Sequence, residues 1–474
     1  MQHASVAPKP PALPDPAVLA AKAHSFLVSG RPGAAHPLVR ALRFAGGDPQ
    51  VSTALGARCL FAQGRRTEAL ALLDAEIDAS KPSSALLFAR AELRAQAADV
   101  LGAALDAADA LLLAPDDTRA KTLLGRALLH LRRPADAVAC LREALRAKPH
   151  DAQGYLDLVA ALDAAGRPDE GEAVLAAALA IPLASPALHS AAILRRVRAG
   201  DLEAAVSIAA AARQRMCLEA SGYELLGHAL RGLGRQDDAA DAYAHALKLA
   251  PENRSLRHLA AAAGRYRADD HAPPDYIRSL FGDYPGLSDD QRGRLGALVP
   301  DLARHVNARC ADDVGAVLDL GCGAGPLPCA CTPGPAWIGV DLSPHMLRRA
   351  RATSHYTELH EADIPDYLQA ETRRFSLVCA CDVLPYFGPL IALFRAVGDR
   401  MAPGAQFIFT FERLAPGPDE VRLGVTGRYA HTAAHVAAAA NAAGLSLALL
   451  EPASPCCDGA LFGQTNLCIV ECPA

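Results

Sequence analysis

The sequence predicts an N-terminal α-solenoid followed by a doubly wound α/β domain. Three observations carry this. The chain has 474 residues, enough for two or three domains. Small residues recur on a 34-residue grid through its first half. In its second half an apolar run, residues 314–320, leads directly into Gly321-Cys322-Gly323-Ala324-Gly325.

Gly30, Gly64, Gly166, Gly200 and Gly234 lie on the grid, and Ala98 and Arg132 keep its phase without the glycine. Five residues further along come Ala35, Ala69, Ala103, Ala137, Gly171, Ala205 and Ala239, and Pro115, Pro149 and Pro251 close three of the units. Each unit reads as two amphipathic helices, for example 123–131 and 135–147, joined by a short polar turn. The small residues mark where two helices approach too closely for a larger side chain. One such pair cannot bury its apolar face alone, so neighbours must stack. The pattern resembles the tetratricopeptide repeat family, with Tyr155 and Tyr223 at its early aromatic position. Seven units fill residues 16–253, after a Pro-rich segment, 1–15, expected to be disordered. Residues 254–270 read as a capping helix and linker, and the turn-rich Asp269-Asp270-His271-Ala272-Pro273-Pro274 sets a boundary to a second domain, 271–474. The resemblance implies a groove that binds a protein substrate or partner. It does not extend to repeats that clamp the acidic tails of chaperones, which use Asn and Lys on their first helices. The four Asn here (Asn253, Asn307, Asn441, Asn466) lie outside those helices.

In the second domain, further apolar strands are expected at 337–340, 375–381 and 406–411, with helices at 344–352 and 390–401 between them. Strands alternating with helices imply a parallel sheet, whose ligands sit at the carboxyl ends of its strands. The glycine loop lacks the third glycine of the dinucleotide fingerprint. With Asp319 before it, the loop instead resembles class I S-adenosylmethionine-dependent methyltransferases. Four later segments extend the likeness: Ile338-Gly339-Val340-Asp341-Leu342-Ser343-Pro344-His345-Met346-Leu347, Glu361-Ala362-Asp363-Ile364, residues 375–384 and Ala402-Pro403-Gly404-Ala405.

That resemblance implies a Rossmann-like domain with S-adenosyl-L-methionine as cofactor. Gly321, Gly323 and Gly325, with Cys322 between them, would bring the backbone against the cofactor where a side chain would collide. Asp319 would face the methionine ammonium, and Asp341 would accept from both ribose hydroxyls. Asp363 would take the adenine amino group with the Ile364 backbone beside it, while Leu342 and Met346 would pack on the adenine face. Asp382 and Tyr284 complete the expected cofactor surroundings. Asp363 and Asp382 also read as helix caps. Pro326, Pro328 and Pro333 make the helix after the loop short or irregular.

A narrower likeness, to bacterial proteins that join tetratricopeptide repeats to such a domain, rests on residues 270–277, 280–284, 382–388 and Gly427-Arg428-Tyr429-Ala430-His431. Pro285-Gly286 departs from that group after Tyr284. For catalysis, Tyr386 lies just past the fourth strand, and Tyr429 and His431 lie in a later loop expected over the same mouth. His431 is the candidate general base, since imidazole titrates near neutrality.

Charge excludes a generic nucleic-acid surface: from residue 271 onward there are 15 Arg, no Lys and 22 acidic residues. No run is long and apolar enough to span a membrane, and the start has no secretory pattern, so a cytoplasmic protein is expected. The cysteine pairs Cys329/Cys331 and Cys379/Cys381 could suggest zinc, but Cys379 and Cys381 alternate in an apolar strand and read as small hydrophobes, so no metal is expected. Two readings stay open: a methyltransferase whose repeats recruit a protein, and a non-catalytic repeat scaffold with a vestigial cofactor-binding domain.

Overall fold

The computed structural model describes residues 14–181, 185–281, 288–310, 314–453 and 464–473. Most of the Pro-rich 1–15 segment, Tyr284, Pro285-Gly286 and Cys456-Cys457 lie outside the described residues. Two compact units divide the chain, Met1–Leu188 and His189–Ala474.

In the first unit, antiparallel helical pairs follow one another: Pro16–Val28 with Pro32–Phe44, Pro49–Ala62 with Arg66–Ala79, Ser84–Gln96 with Val100–Leu113, Thr118–His130 with Pro134–Ala147, and Ala152–Ala164 with Pro168–Leu179. The carboxylates of Asp15, Asp48, Asp117 and Asp151 accept backbone N–H groups at the starts of four first helices. The repeated small residues are where the helices touch: Ala35, Ala69, Ala103 and Ala137 are fully buried. At each turn the grid residue is left-handed. Gly30, Gly64 and Gly166 have positive φ, and so do the two exceptions, Ala98 (65°) and Arg132 (60°). The 34-residue period is thus a backbone requirement, which glycine meets at five points and strained residues at two.

The second unit holds most of two further pairs, Pro186–Arg198 with Leu202–Gln214 and Ala220–Gly232 with Gln236–Leu249, then a cap, Arg254–Ala262. A single apolar cluster runs from Ile193, Leu230 and Leu259 in these helices through Tyr276 to Phe394 and Phe407 of the α/β domain. This continuity of core explains why the compact unit begins near 189 and not at the turn-rich break near 270.

Among the described residues nine strands form one sheet: β1 Ala316–Leu320, β2 Ala336–Asp341, β3 Tyr356–Glu361, β4 Phe375–Ala380, β5 Met401–Arg413, β6 Val421–Leu423, β7 Tyr429–His431, β8 Ser446–Pro452 and β9 Thr465–Glu471. β3, β2, β1, β4 and β5 are parallel neighbours in that order, and β9 joins β5 antiparallel and pairs with β8. Successive side chains alternate between two cores. Leu318, Ile338, Val378 and Phe407 face one, and Val317, Trp337, Leu377 and Ile408 face the other, against Leu298, Leu302 and Val306 of the helix Ser288–Cys310. β4 pairs with β5 as far as Phe409, and β7 takes up the same edge at Glu412 and Arg413 while β9 occupies the opposite edge. The β6–β7 hairpin therefore stands beyond the carboxyl end of β4.

Candidate functional site

At the carboxyl ends of β1 to β4, where the strand order turns from β1 to β4, the sheet opens into a cavity of about 430 Å³. Its walls are mainly apolar, with Ile277, Leu280, Phe281, Val299, Leu327 and Val383 among them. Among the described residues, four carboxylates, Asp319, Asp341, Asp363 and Asp382, and one guanidinium, Arg349, stand against that background. Gly321, Cys322 and Gly323 of the loop after β1 line it, as do Leu342, Met346, Ile364 and Tyr386. Gly325 is not in the wall. It starts the five-residue helix Pro326–Ala330, short as the prolines require.

Asp341 ends β2 with both oxygens fixed by backbone: Oδ2 accepts from Gly323 N at 2.9 Å and Oδ1 from Ser343 N at 2.8 Å. Burial raises its pKa against these hydrogen bonds. Asp319 is 2% exposed and accepts from the Tyr356 hydroxyl at 2.7 Å. Burial pushes this carboxyl up to about 7, and the hydrogen bond from Tyr356 only partly opposes it. Glycines make room for Tyr356. A Cβ at Gly325 or Gly339 would come within 2.9 Å or 2.8 Å of its ring. Asp363 caps the helix Ile364–Ala370, accepting from Ile364 N at 2.9 Å, and lines the cavity at the same time. Burial raises its pKa too.

Asp382, two residues past β4, has φ +59°, and its N–H donates to Thr410 Oγ1 at 2.8 Å. It does not cap a helix. Its carboxylate takes the buried Arg428: Nη2 donates to Oδ1 at 2.5 Å and Nη1 to Oδ2 at 3.3 Å. Arg428 also donates to Glu412 Oε2 at 2.9 Å and to the Tyr386 hydroxyl at 3.2 Å, and lies over the Tyr386 ring. Burial alone would lower the Arg428 pKa, but Asp382, Tyr386 and Glu412 hold it well above the ordinary value.

The structure brings Tyr386 to the cavity but not Tyr429 or His431, which corrects the expectation for both. Tyr429 is buried at β7, and its hydroxyl donates to the Asp269 carbonyl at 2.5 Å, tying down the linker. His431 is wholly buried, stacked on His435 with ring centroids 5.6 Å apart. It faces the Leu384 and Phe387 backbone without a formed hydrogen bond. Burial, and then His435, push it down to about 4. His431 is thus buried outside the cavity wall. Sequence reasoning missed Tyr356 and the role of Arg428. The available signal for the second was an arginine in the Gly427–His431 stretch, just ahead of the two candidate catalytic residues Tyr429 and His431.

Residues 290–443 match the family described as methyltransferase domain. Residues 20–85, 83–152, 122–186 and 220–253 match tetratricopeptide repeat families. The chain therefore joins tetratricopeptide repeats to a methyltransferase domain. The comparison with curated proteins finds no match. Among solved structures, magnesium protoporphyrin IX methyltransferase (ChlM) from Synechocystis PCC 6803 with bound SAH is 18% identical; the match covers 42% of this chain and 93% of that one, with a TM-score of 0.31. A tetratricopeptide repeat protein from Parabacteroides merdae ATCC 43184 is 17% identical over 52% of this chain and 98% of that one, with a TM-score of 0.38. No helix among the described residues is long and apolar enough to cross a membrane.

Proposed function

We propose that the chain is an S-adenosylmethionine-dependent methyltransferase whose repeats bring it a protein substrate or partner. The observation that carries this reading is the cavity's charge: four aspartates and one arginine in an apolar wall, at the switch point of a parallel sheet. A low-dielectric, anionic pocket favours a ligand with fixed positive charge. S-adenosylmethionine carries a sulfonium and an ammonium, and supplies an electrophilic methyl group when bound.

The residues present fit such a ligand. Asp341, held by two backbone amides, would accept from the ribose hydroxyls, and its charge disfavours a ribose phosphate. Asp319, steadied by Tyr356, would receive the ammonium. Asp363 would take the adenine amino group, with Ile364 beside it and Leu342 and Met346 on the ring face. A Cβ at Gly323 would meet no protein atom within 4 Å, so the glycine leaves that volume to the ligand. Tyr386 and Asp382 stand at the β4 end of the cavity, where an acceptor would be positioned.

Titration calorimetry of the full chain with S-adenosylmethionine tests the reading, beside an Asp341→Ala variant. Micromolar binding is expected, weakened roughly tenfold or more by the substitution, because hydrogen bonds to a charged group are each worth about 1.5–3 kcal/mol. Absence of binding by the wild type sinks it. Binding without labelled-methyl transfer to any acceptor in a cell lysate favours a non-catalytic scaffold instead.

A further inference from the structure

The turn that carries Arg428 is gripped from two sides. On one side are helical elements of the same compact unit. His258, in the helix Arg254–Ala262, is buried and donates from Nε2 to the Gly427 carbonyl at 2.9 Å. Its ring lies 4.7 Å from that of Tyr276 and 5.9 Å from that of Tyr429. The Tyr276 hydroxyl fits against Gly427 so closely that a Cβ there would approach it to 2.3 Å. On the other side the guanidinium reaches Glu412, Asp382 and Tyr386, and the last two are cavity wall. Asp382 also holds a left-handed backbone conformation, uncommon for a residue with a side chain.

We propose that Arg428 is a positioning residue of this site: it holds Asp382 and Tyr386 in the cavity wall and links them to the helix that caps the repeats. Its rigid, planar fork engages three partners at once, which a lysine cannot reproduce. It also sets the charge next to the ligand. The guanidinium stands against the carboxylates of Asp382 and Glu412, and removing it takes one positive charge away from them. The helical cap is in this sense part of the site.

Two measurements on the full chain test this, with wild type, Arg428→Met, Arg428→Lys and His258→Ala. The first is hydrogen–deuterium exchange. Arg428→Met and His258→Ala should each speed exchange of the amides of residues 382–388 roughly tenfold, leaving residues 118–147 unchanged. The second is calorimetry with S-adenosylmethionine and S-adenosylhomocysteine, which differ by the sulfonium charge; this arm rests on the cofactor reading above. Arg428→Met should raise the preference for the cationic ligand about threefold or more, and Arg428→Lys should keep the wild-type preference. A loss of packing alone would weaken both ligands equally. A folded Arg428→Met protein with wild-type exchange at 382–388 would falsify the positioning role. Unchanged exchange there in His258→Ala overturns the link to the cap. Should Arg428→Met not fold, Asp382→Asn must loosen the same amides and lower the preference for the cation, and no change in either overturns the proposal. A wild type that binds neither ligand removes the cofactor reading, while the exchange arm still decides on Arg428.

Discussion

At the residue scale, the cavity shows carboxylates held by different means. Asp341 is fixed by backbone amides, Asp319 by a tyrosine hydroxyl and Asp382 by a guanidinium. The consequence for pH lies with Asp319. Its folded-state pKa is raised to about 7, above the ordinary value of 3.8. The ligand-free fold thus holds this proton more tightly than the unfolded chain does. Stability from this group is present below about pH 4 and fades as pH rises towards 7. A cationic ligand asks for the opposite state, the anion. Affinity for S-adenosylmethionine should therefore rise with pH up to about 7 and fall by as much as roughly tenfold per unit below it. Dissociation constants measured from pH 5.5 to 8 check this, and a flat profile in the wild type removes Asp319 from the ammonium site. Asp319, Asp341 and Asp363 were legible in the sequence because short motifs at strand ends carry them. Arg428 was not: its partners Asp382 and Glu412 stand 46 and 16 residues away, and only the sheet brings them together.

At the element scale, strands buried on both faces announced themselves as apolar runs, which is why β1, β2, β4 and part of β5 could be read directly. β3 could not, because its side chains are half-buried or exposed and its polar residues break any pattern. The three-residue strands β6 and β7 are too short to carry a period at all. The repeat helices were legible through turn chemistry as much as through apolar spacing. In the first unit the left-handed grid turns at Ala98 and Arg132 carry a side chain where the other turns have glycine. Ala98 is exposed, and a left-handed non-glycine residue costs about 1 kcal/mol. Ala98→Gly should therefore raise the stability of the first unit by up to about that amount, less the extra entropy glycine gives the unfolded chain. Chemical denaturation followed by helical circular dichroism reads the change, and a destabilised variant shows that the turn is not strained.

At the scale of the whole molecule, composition and period announce a repeat array and a catalytic-type domain as separate things, but the packing divides the chain elsewhere. The cluster joining Leu230, Leu259 and Tyr276 to Phe407 puts the last helices in the same unit as the sheet. Such continuity across a sequence boundary leaves no local trace, because Ala-rich helices look alike whether they stack on another repeat or on a sheet. A chain beginning at residue 189 is expected to melt cooperatively, whereas one beginning at 271 should expose Tyr276 and Gly427 and melt at least several degrees lower. Equal melting temperatures for the two would place the boundary at 270 after all. Trp337, the one tryptophan of the chain, lies buried in β2. Its emission is therefore a natural optical tag on the second unit, silent about the first, while ellipticity is weighted towards helices. Following both signals through a single heating ramp would show directly whether the two parts of this chain come apart together or in turn.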